Sequence, residues 1–177
     1  MLEKRSRLIN RIRRFFAQRR VLEVETPILS QAANSDPGME QFQTTGNGRY
    51  LRTSSEYPMK RLLAAGSGDI FEIGKVFRRG EAGRLHHPEF TMLEWYRVGW
   101  NYHQLMDEVA ALVRQCIGKP SLEESRLSYA ELFHSSTGLD PHYQSDQSFL
   151  KYAARQGVEV DGLEPTSACD LVFTHFV

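Results

Sequence analysis

Two runs rich in β-branched and aromatic residues, DIFEIGKVF at residues 69–77 and PEFTMLEWY at residues 88–96, constrain this chain more than any other feature. A basic, glycine-containing turn of roughly eight residues joins them, too short for the dozen or more that a parallel crossover needs. The two strands must therefore run antiparallel. That excludes a doubly wound parallel sheet, although strands and helices otherwise alternate along the chain. The expected class is α+β, an antiparallel sheet flanked by helices.

The helices are legible from spacing. Leu8, Ile9, Ile12, Phe15 and Phe16 recur at helical intervals and predict an amphipathic helix over about residues 2–19. VLEVETP then reads as a short strand ending at Pro27, residues 30–48 as a long polar loop or hairpin, and YLRTS as another strand. Ser54 or Ser55 is placed to cap a helix through EYPMKRLLAAG, with Pro58 tolerated in its first turn and Gly66 stopping it. Asn101 is expected to cap a second long helix with Leu105, Val109, Leu112, Val113 and Cys116 as its apolar stripe, ending at Gly118. Beyond residue 120 the pattern changes to short capped helices. SYAE (Ser128, Glu131) has the capping-box spacing, and SDQSFLKYAARQG and SACDLVFTHFV resemble it. The last pattern runs to Val177 without a stop signal, so the chain reads as a domain truncated in mid-helix.

Side-chain parity in the second strand carries the chemistry. Phe90, Met92, Glu94 and Tyr96 share one face, and Thr91, Leu93, Trp95 and Arg97 share the other. The first face offers a flat ring, then a carboxylate, then a phenol. A carboxylate inside such a strand needs a cationic partner, because burial of an unpaired charge is costly. If the partner is a ligand's amine, the site is selective for amines. Just before the strand, Arg78, Arg79, Arg84, His86 and His87 cluster around Gly80 and Gly83. Arginine forks match phosphate oxygens, and glycines let the backbone approach a ligand. ATP plus an amino acid fits that layout.

Each feature also has a plainer reading, and composition and spacing leave those open. Phe90 can be core, Glu94 can pair with a protein lysine, Ser54 and Ser55 can be simple caps, and Glu56 can merely favour a helix dipole. His86 and His87 lack a third ligand for zinc, and no metal site is expected. Neither a nucleophile motif nor a P-loop is present. Lys plus Arg equal Asp plus Glu at 22 each, so overall charge does not argue for nucleic acid. The eight basic residues between positions 3 and 20 suit a solvated helix face. Two distant cysteines, no secretory signal and no apolar run of membrane-spanning length lead to the expectation of a soluble cytoplasmic protein with no membrane partner.

At these same residues the sequence resembles a known family. FRRGEAGRLHHPEFTMLEWY is similar to motif 2 of the class II aminoacyl-tRNA synthetases in its lysyl version. RRFFAQRRVLEVETPIL is similar to the motif 1 helix and strand that form the dimer interface, and LRTSSEYPMKRLL to the lysyl-type segment between the motifs. Within the family, the pattern ExGRxHxPEFTxLEWYR over residues 81–97 resembles the lysyl-tRNA synthetase paralogues that ligate β-lysine to translation elongation factor P. The resemblance places motif 1 at about 4–30 and motif 2 at about 76–97, followed by a helical segment over 120–177. The whole chain, 1–177, would be the N-terminal part of a catalytic domain, cut before motif 3 and inactive alone. No anticodon-binding domain precedes motif 1, so the resemblance makes tRNA an unlikely partner and elongation factor P the protein substrate.

By position, the resemblance implies that Arg78 binds the α-phosphate of ATP and stabilises the adenylation transition state, and that Phe90 stacks on adenine. Arg79 and Gly80 would lie at the adenine edge, with His86 and His87 along the phosphates. Ser54, Ser55 and Glu56 would line the amino-acid pocket, and Glu94 and Tyr96 would receive a lysine-like ammonium. The implied reaction uses ATP with Mg²⁺ to convert (R)-β-lysine or lysine to an adenylate, then acylates a lysine of the partner protein. The implied assembly is a homodimer through the motif 1 helix. Two substitutions depart from the family pattern. Gly80 stands where a glutamate is usual, with Glu81 one position later, which leaves open the carboxylate that contacts ATP or the amine. His87 stands where asparagine is more frequent. Two other readings remain: a catalytic fragment of a lysyl-tRNA synthetase, and a non-catalytic class II-like binding module.

Overall fold

In this computed structural model residues 1–36, 38–84, 86–162 and 167–177 are described, and they divide into two compact units, residues 1–122 and 123–177. The first unit begins with helix α1 (Leu2–Gln18) and continues through strands β1 (Leu22–Glu23), β2 (Leu29–Ser30) and β3 (Tyr50–Leu51) to helix α2 (Glu56–Ala64). The long strands β4 (Ile70–Phe77) and β5 (Glu89–Tyr96) follow, then helix α3 (Tyr102–Ile117).

β4 and β5 pair antiparallel in eight-residue register, from Ile70 opposite Tyr96 to Phe77 opposite Glu89. The connecting segment, residues 78–88, is a little longer than the sequence reading allowed but still too short for a crossover. The sheet as a whole is not purely antiparallel. β1 joins β4 in parallel, with Leu22 opposite Ile70, and the intervening chain includes α2 and is long enough for that topology. VLEVETP contributes only the two residues of β1, and the polar loop closes as a small hairpin in which β2 and β3 pair antiparallel. The α+β class stands with a mixed sheet.

The parity assignment fixes which face meets the core. Phe15, Phe16, Val21, Phe71 and Leu112 form the buried cluster, with Ile73, Leu93 and Trp95 against it. Phe16 is its centre: its ring stacks on Phe71 at 4.5 Å between centroids and lies 5.5 Å from Trp95. The opposite face, bearing Phe90, Glu94 and Tyr96, is thereby left for the site. Two expectations about α3 need correction. Val109 and Val113 are 39% exposed, whereas Glu108, a residue outside the expected stripe, is buried. Glu108 accepts a hydrogen bond from Trp95 Nε1 at 3.1 Å and faces Arg97 and Arg19. Asn101 does cap α3, through a capping box with Gln104, and Gly118 ends it at φ +75°.

The second unit packs helices α4 (Tyr129–Thr137), α5 (Asp146–Arg155) and α6 (Ala168–Phe176) around Phe133, Phe149, Ala153, Ala168 and Val172. Ser128 and Glu131 form the expected capping box. Ser145 and Ser167 occupy N-cap positions without a side-chain capping bond, so the likeness of those two segments to SYAE is positional only. Among the described residues no helix is long and apolar enough to cross a membrane.

Replacing Phe16 with alanine should remove the ring around which α1, β4 and β5 pack. We expect a loss of about 3–5 kcal/mol in unfolding free energy, measured by urea denaturation; a loss under about 1 kcal/mol would show that this cluster is not the core.

Candidate functional site

Glu94 is the centre of the free face. Its Oε2 accepts hydrogen bonds from Ser54 Oγ at 2.7 Å and Ser55 Oγ at 3.1 Å, and its Oε1 accepts from Tyr96 Oη at 2.7 Å. All three donors are neutral hydroxyls. Of the nearby lysines, Lys60 pairs with Glu56 and Lys75 with Glu89. Glu94 thus forms no ion pair among the described residues, although Lys60, paired with Glu56, stands near enough to feel its charge, so a protein lysine influences this carboxylate without bonding to it. Burial, followed by hydrogen bonding to Glu94 and its charge, pushes the Tyr96 phenol well above its usual range, so Tyr96 remains a donor.

Helix α2 presents the two serines. Ser55 sits at the N-cap position but makes no capping bond. Ser54 Oγ instead accepts from the Glu56 backbone N–H at 3.0 Å while donating to Glu94. The serines are therefore not the simple caps that a sequence reading supplies. The Glu56 carboxylate pairs with Lys60 at 2.5 Å; its backbone N–H bonds to Ser54 Oγ, and its charge reaches Tyr96 without a hydrogen bond.

The same segment anchors the arginine of the turn. Arg78 Nε donates to the Thr53 carbonyl at 3.3 Å, its Nη1 lies 3.4 Å from Glu81 Oε1, and its guanidinium carbon is 5.3 Å from the Phe90 ring centre. That last distance is within cation–π range. The structure thus brings Arg78, Glu81 and Phe90 together, one residue along the chain from the hydroxyls on Glu94. Along β5, Phe90 and Glu94 stand about 13 Å apart at the strand's rise per residue.

The remaining turn residues are more dispersed. Arg79 is exposed, its backbone N–H donating to the Glu40 carbonyl at 3.0 Å and its Nε lying 3.8 Å from Glu40 Oε2. Gly80 has φ +83°, a conformation that disfavours a side chain. His86 is exposed and contributes only backbone hydrogen bonds with Gly83, and His87 Nδ1 interacts with the backbone of Glu89 at 3.0 Å. Neither imidazole reaches Arg78 or Glu94 here. No group of three or more His, Cys, Asp or Glu side chains among the described residues could hold a metal ion.

Several participants were missed by sequence reasoning. Glu40, from the loop dismissed as polar, lies beside Gly80; a Cβ built on that glycine would stand 3.7 Å from Glu40 Oε2. Asn34 Nδ2 donates to Thr53 Oγ1 at 3.0 Å and so braces the segment that holds Arg78. The largest omission is a buried ion pair. Arg52 Nη2 lies 2.6 Å from Glu72 Oε1, with side chains only 5% and 2% exposed. Charge proximity rather than an aligned hydrogen bond links those two atoms, since Glu72 Oε1 has no hydrogen-bond partner. Glu72 Oε2 accepts from Thr26 Oγ1 at 2.6 Å, and Arg52 also donates to Thr26 and to the Lys75 carbonyl. A charged pair inside the fold was signalled only by Gly74. A Cβ there would stand 2.2 Å from Arg52 Nη2, so the guanidinium crosses β4 where a side chain is lacking.

Comparison with known proteins followed this geometry. The family model described as tRNA synthetases class II (D, K and N) matches residues 1–166. The chain is 45% identical over 172 residues, 93% of this chain and 52% of the relative, to a protein of Vibrio cholerae serotype O1 named elongation factor P–(R)-β-lysine ligase. Relatives with the same name are 50% identical over 161 residues in Yersinia enterocolitica and 47% identical over 161 residues in Haemophilus influenzae; each match takes in 86% of this chain and 49% of the relative. The chain spans about half the length of the curated relatives it matches.

Ser54→Ala removes both a charge-assisted bond to Glu94 and the acceptor for the Glu56 N–H. It should lower unfolding free energy by about 1–2 kcal/mol, and Ser55→Ala, with the longer bond, should cost less. Equal or reversed effects in urea denaturation would contradict this account of the hydroxyl cradle.

Proposed function

The chain belongs to the class II tRNA synthetase family, and from that premise we propose that it supplies the nucleotide and amino-acid site of an ATP-dependent ligase. The enzyme would activate (R)-β-lysine, or lysine, as an aminoacyl adenylate and transfer it to a lysine of translation elongation factor P. The observation that carries the reading is Glu94, a half-buried carboxylate with three hydroxyl donors and no ion pair among the described residues. A ligand ammonium completes that arrangement. The names of the three relatives reported above, elongation factor P–(R)-β-lysine ligases at 45–50% identity, support the same substrate and partner.

The chemistry follows from what each side chain can contact. The distal ammonium of the amino acid would sit against Glu94 and Tyr96, and adenine would stack on Phe90. The interval of about 13 Å between them leaves room for the ribose, phosphate and acyl chain. The amino-acid carboxylate attacks the α-phosphorus of ATP, the bond to the β-phosphate oxygen breaks, and pyrophosphate leaves. Arg78, held by Thr53 and Phe90, would stabilise charge developing on the α-phosphate. A phosphate oxygen would replace Glu81 on Arg78, an exchange helped by the long 3.4 Å separation of that pair. In the second step a lysine ε-amine of elongation factor P attacks the acyl carbon, an amide forms, and AMP leaves. Mg²⁺ enters this reading as the ion that accompanies the phosphates of substrate ATP, and no step is assigned to it.

The homodimer belongs to the same proposal. Leu2 and Leu8 of α1 are exposed, and Leu2, Arg5, Ser6, Ile9, Asn10 and Arg13 line an open depression of about 260 Å³. That surface is where the family resemblance places a partner subunit. The enzyme would act in the cytoplasm, where its protein substrate serves translation.

The test of function is the intact mass of elongation factor P after incubation with the intact protein, ATP, Mg²⁺ and (R)-β-lysine, with α-lysine and tRNA charging run in parallel. Gain of one lysine-sized acyl group without charged tRNA is the expected outcome. Charged tRNA with unmodified protein would assign a lysyl-tRNA synthetase instead, and neither product would favour a binding module. Arg78→Ala should slow amino-acid-dependent pyrophosphate exchange by at least ~10²-fold, the usual scale for one lost transition-state charge contact; an unchanged rate would remove Arg78 from that role.

A further inference from the structure

The register of the β4–β5 pair places Glu72 directly opposite Glu94. Cross-strand partners share a face and stand close together, and like charges so placed repel. The two carboxylates are nevertheless handled in opposite ways. Glu72 is drawn toward Arg52 and Thr26, both buried, by contacts of 2.6 Å on each of its oxygens. Glu94 is drawn toward Ser54, Ser55 and Tyr96 and forms no ion pair among the described residues. The guanidinium that holds Glu72 is itself fixed. Arg52 donates to Thr26 Oγ1, to the Thr26 carbonyl and to the Lys75 carbonyl, and it passes over Gly74 where a Cβ would collide with it.

We propose that Arg52 is a specificity-determining positioning residue: by neutralising Glu72 it leaves Glu94 as the member of this cross-strand pair without an ion-pair partner, open to a ligand's ammonium. The inference rests on the reading that Glu94 receives the ligand's ammonium. Arg52 does not touch the ligand. It sets the charge against which the ammonium is bound, in two ways. Without Arg52, Glu72 becomes a second, buried carboxylate beside Glu94, and the pair resists holding two charges. Without Glu72, Arg52 is left as an unpaired cation on the same face and competes with the ammonium for Glu94. Both disturbances concern the amine and not the nucleotide, whose contacts in the proposed site lie toward Arg78 and Phe90. Loss of both charges together should remove both disturbances. A role confined to holding the fold would instead lower stability without singling out the amine.

The experiment is a double-mutant cycle on the intact protein, using ATP–pyrophosphate exchange with (R)-β-lysine and with each KM measured separately. Arg52→Met and Glu72→Gln should each raise the KM for (R)-β-lysine by at least ~10-fold, since misplaced charge at a binding site costs on that scale. The KM for ATP should move less than about 3-fold, and Arg52→Met/Glu72→Gln should return the amine KM to within about 3-fold of wild type. If one single variant fails to fold, the other single and the double still decide the matter. Folded single variants with an unchanged amine KM, equal rises in both KM values, or a double variant no better than the singles would overturn the proposal. Glu94→Gln run alongside separates the two readings. If it leaves the amine KM unchanged, the assignment of Glu94 fails and the role of Arg52 falls with it; if it raises that KM while the Arg52 and Glu72 variants do not, only the role of Arg52 is overturned.

Discussion

Everything of functional interest in the first unit depends on the antiparallel pairing of β4 and β5. Its register, with Ile70 opposite Tyr96 and Phe77 opposite Glu89, commits every side chain of both strands to one face or the other. A slip of one residue would turn Trp95 and Leu93 away from Phe16 and drive Glu94 into the core. Because Phe16, Phe71 and Trp95 pack tightly on one face, the opposite face is held in place by the same energy that folds the domain. The site needs no separate scaffold: its carboxylate, phenol and aromatic ring are the other side of the core.

Three carboxylates, Glu108 of α3 packed against the sheet and Glu72 and Glu94 of the sheet itself, are withdrawn to different degrees from water, and each is stabilised by different means. Glu108 lies among Arg97, Arg19 and the Trp95 N–H on the core side. Glu72 has Arg52 and Thr26. Both are buried with arginine, as the cost of desolvating a charge requires. Glu94 is only half-buried and has hydroxyls alone. Hydroxyl donors orient a carboxylate and reduce its desolvation penalty without cancelling its charge, so the negative potential remains available to a cation. This contrast between neighbours on one sheet separates a structural carboxylate from one suited to bind a ligand.

The fold was legible in the sequence wherever a single local rule decided the outcome. Turn length made β4 and β5 antiparallel, period-two alternation assigned their faces, and Asn101 and the Ser128–Glu131 pair announced their helix starts. Reading failed where the deciding partner was distant in sequence. β1 is two residues long and gains its parallel place only by pairing with β4. Glu108 reads as the polar side of a helix until Trp95 and Arg97 are brought against it. Arg52 looks like an ordinary strand arginine, and only the absent Cβ at Gly74 hints that something large must cross there. Within the candidate site, the grouping of Phe90, Glu94 and Tyr96 was visible from parity. The role of Ser54 and Ser55 as donors to Glu94 was not, because a serine before a helix reads as a cap whether or not it makes the capping bond.

The turn between β4 and β5 shows how a local substitution is absorbed by the surrounding structure. Gly80 stands where the family resemblance leads one to expect glutamate, and its φ of +83° would strain any such side chain in this conformation. Carboxylates nonetheless flank the turn from two other positions. Glu81 reaches back to Arg78, and Glu40 reaches in from the preceding loop to Arg79, beside the space that a side chain at position 80 would enter. Both pairs are long, Arg79–Glu40 exposed and Arg78–Glu81 partly so, and each contributes little to stability. Weak pairing of this kind holds the two arginines near their places while leaving their donors free to exchange onto phosphate. Arg52 is the opposite case, since burial and four fixed partners leave it nothing to exchange with. The difference in burial therefore divides these arginines: exposed Arg79 and partly exposed Arg78 hold weak pairs that can exchange, whereas buried Arg52 is fixed in place.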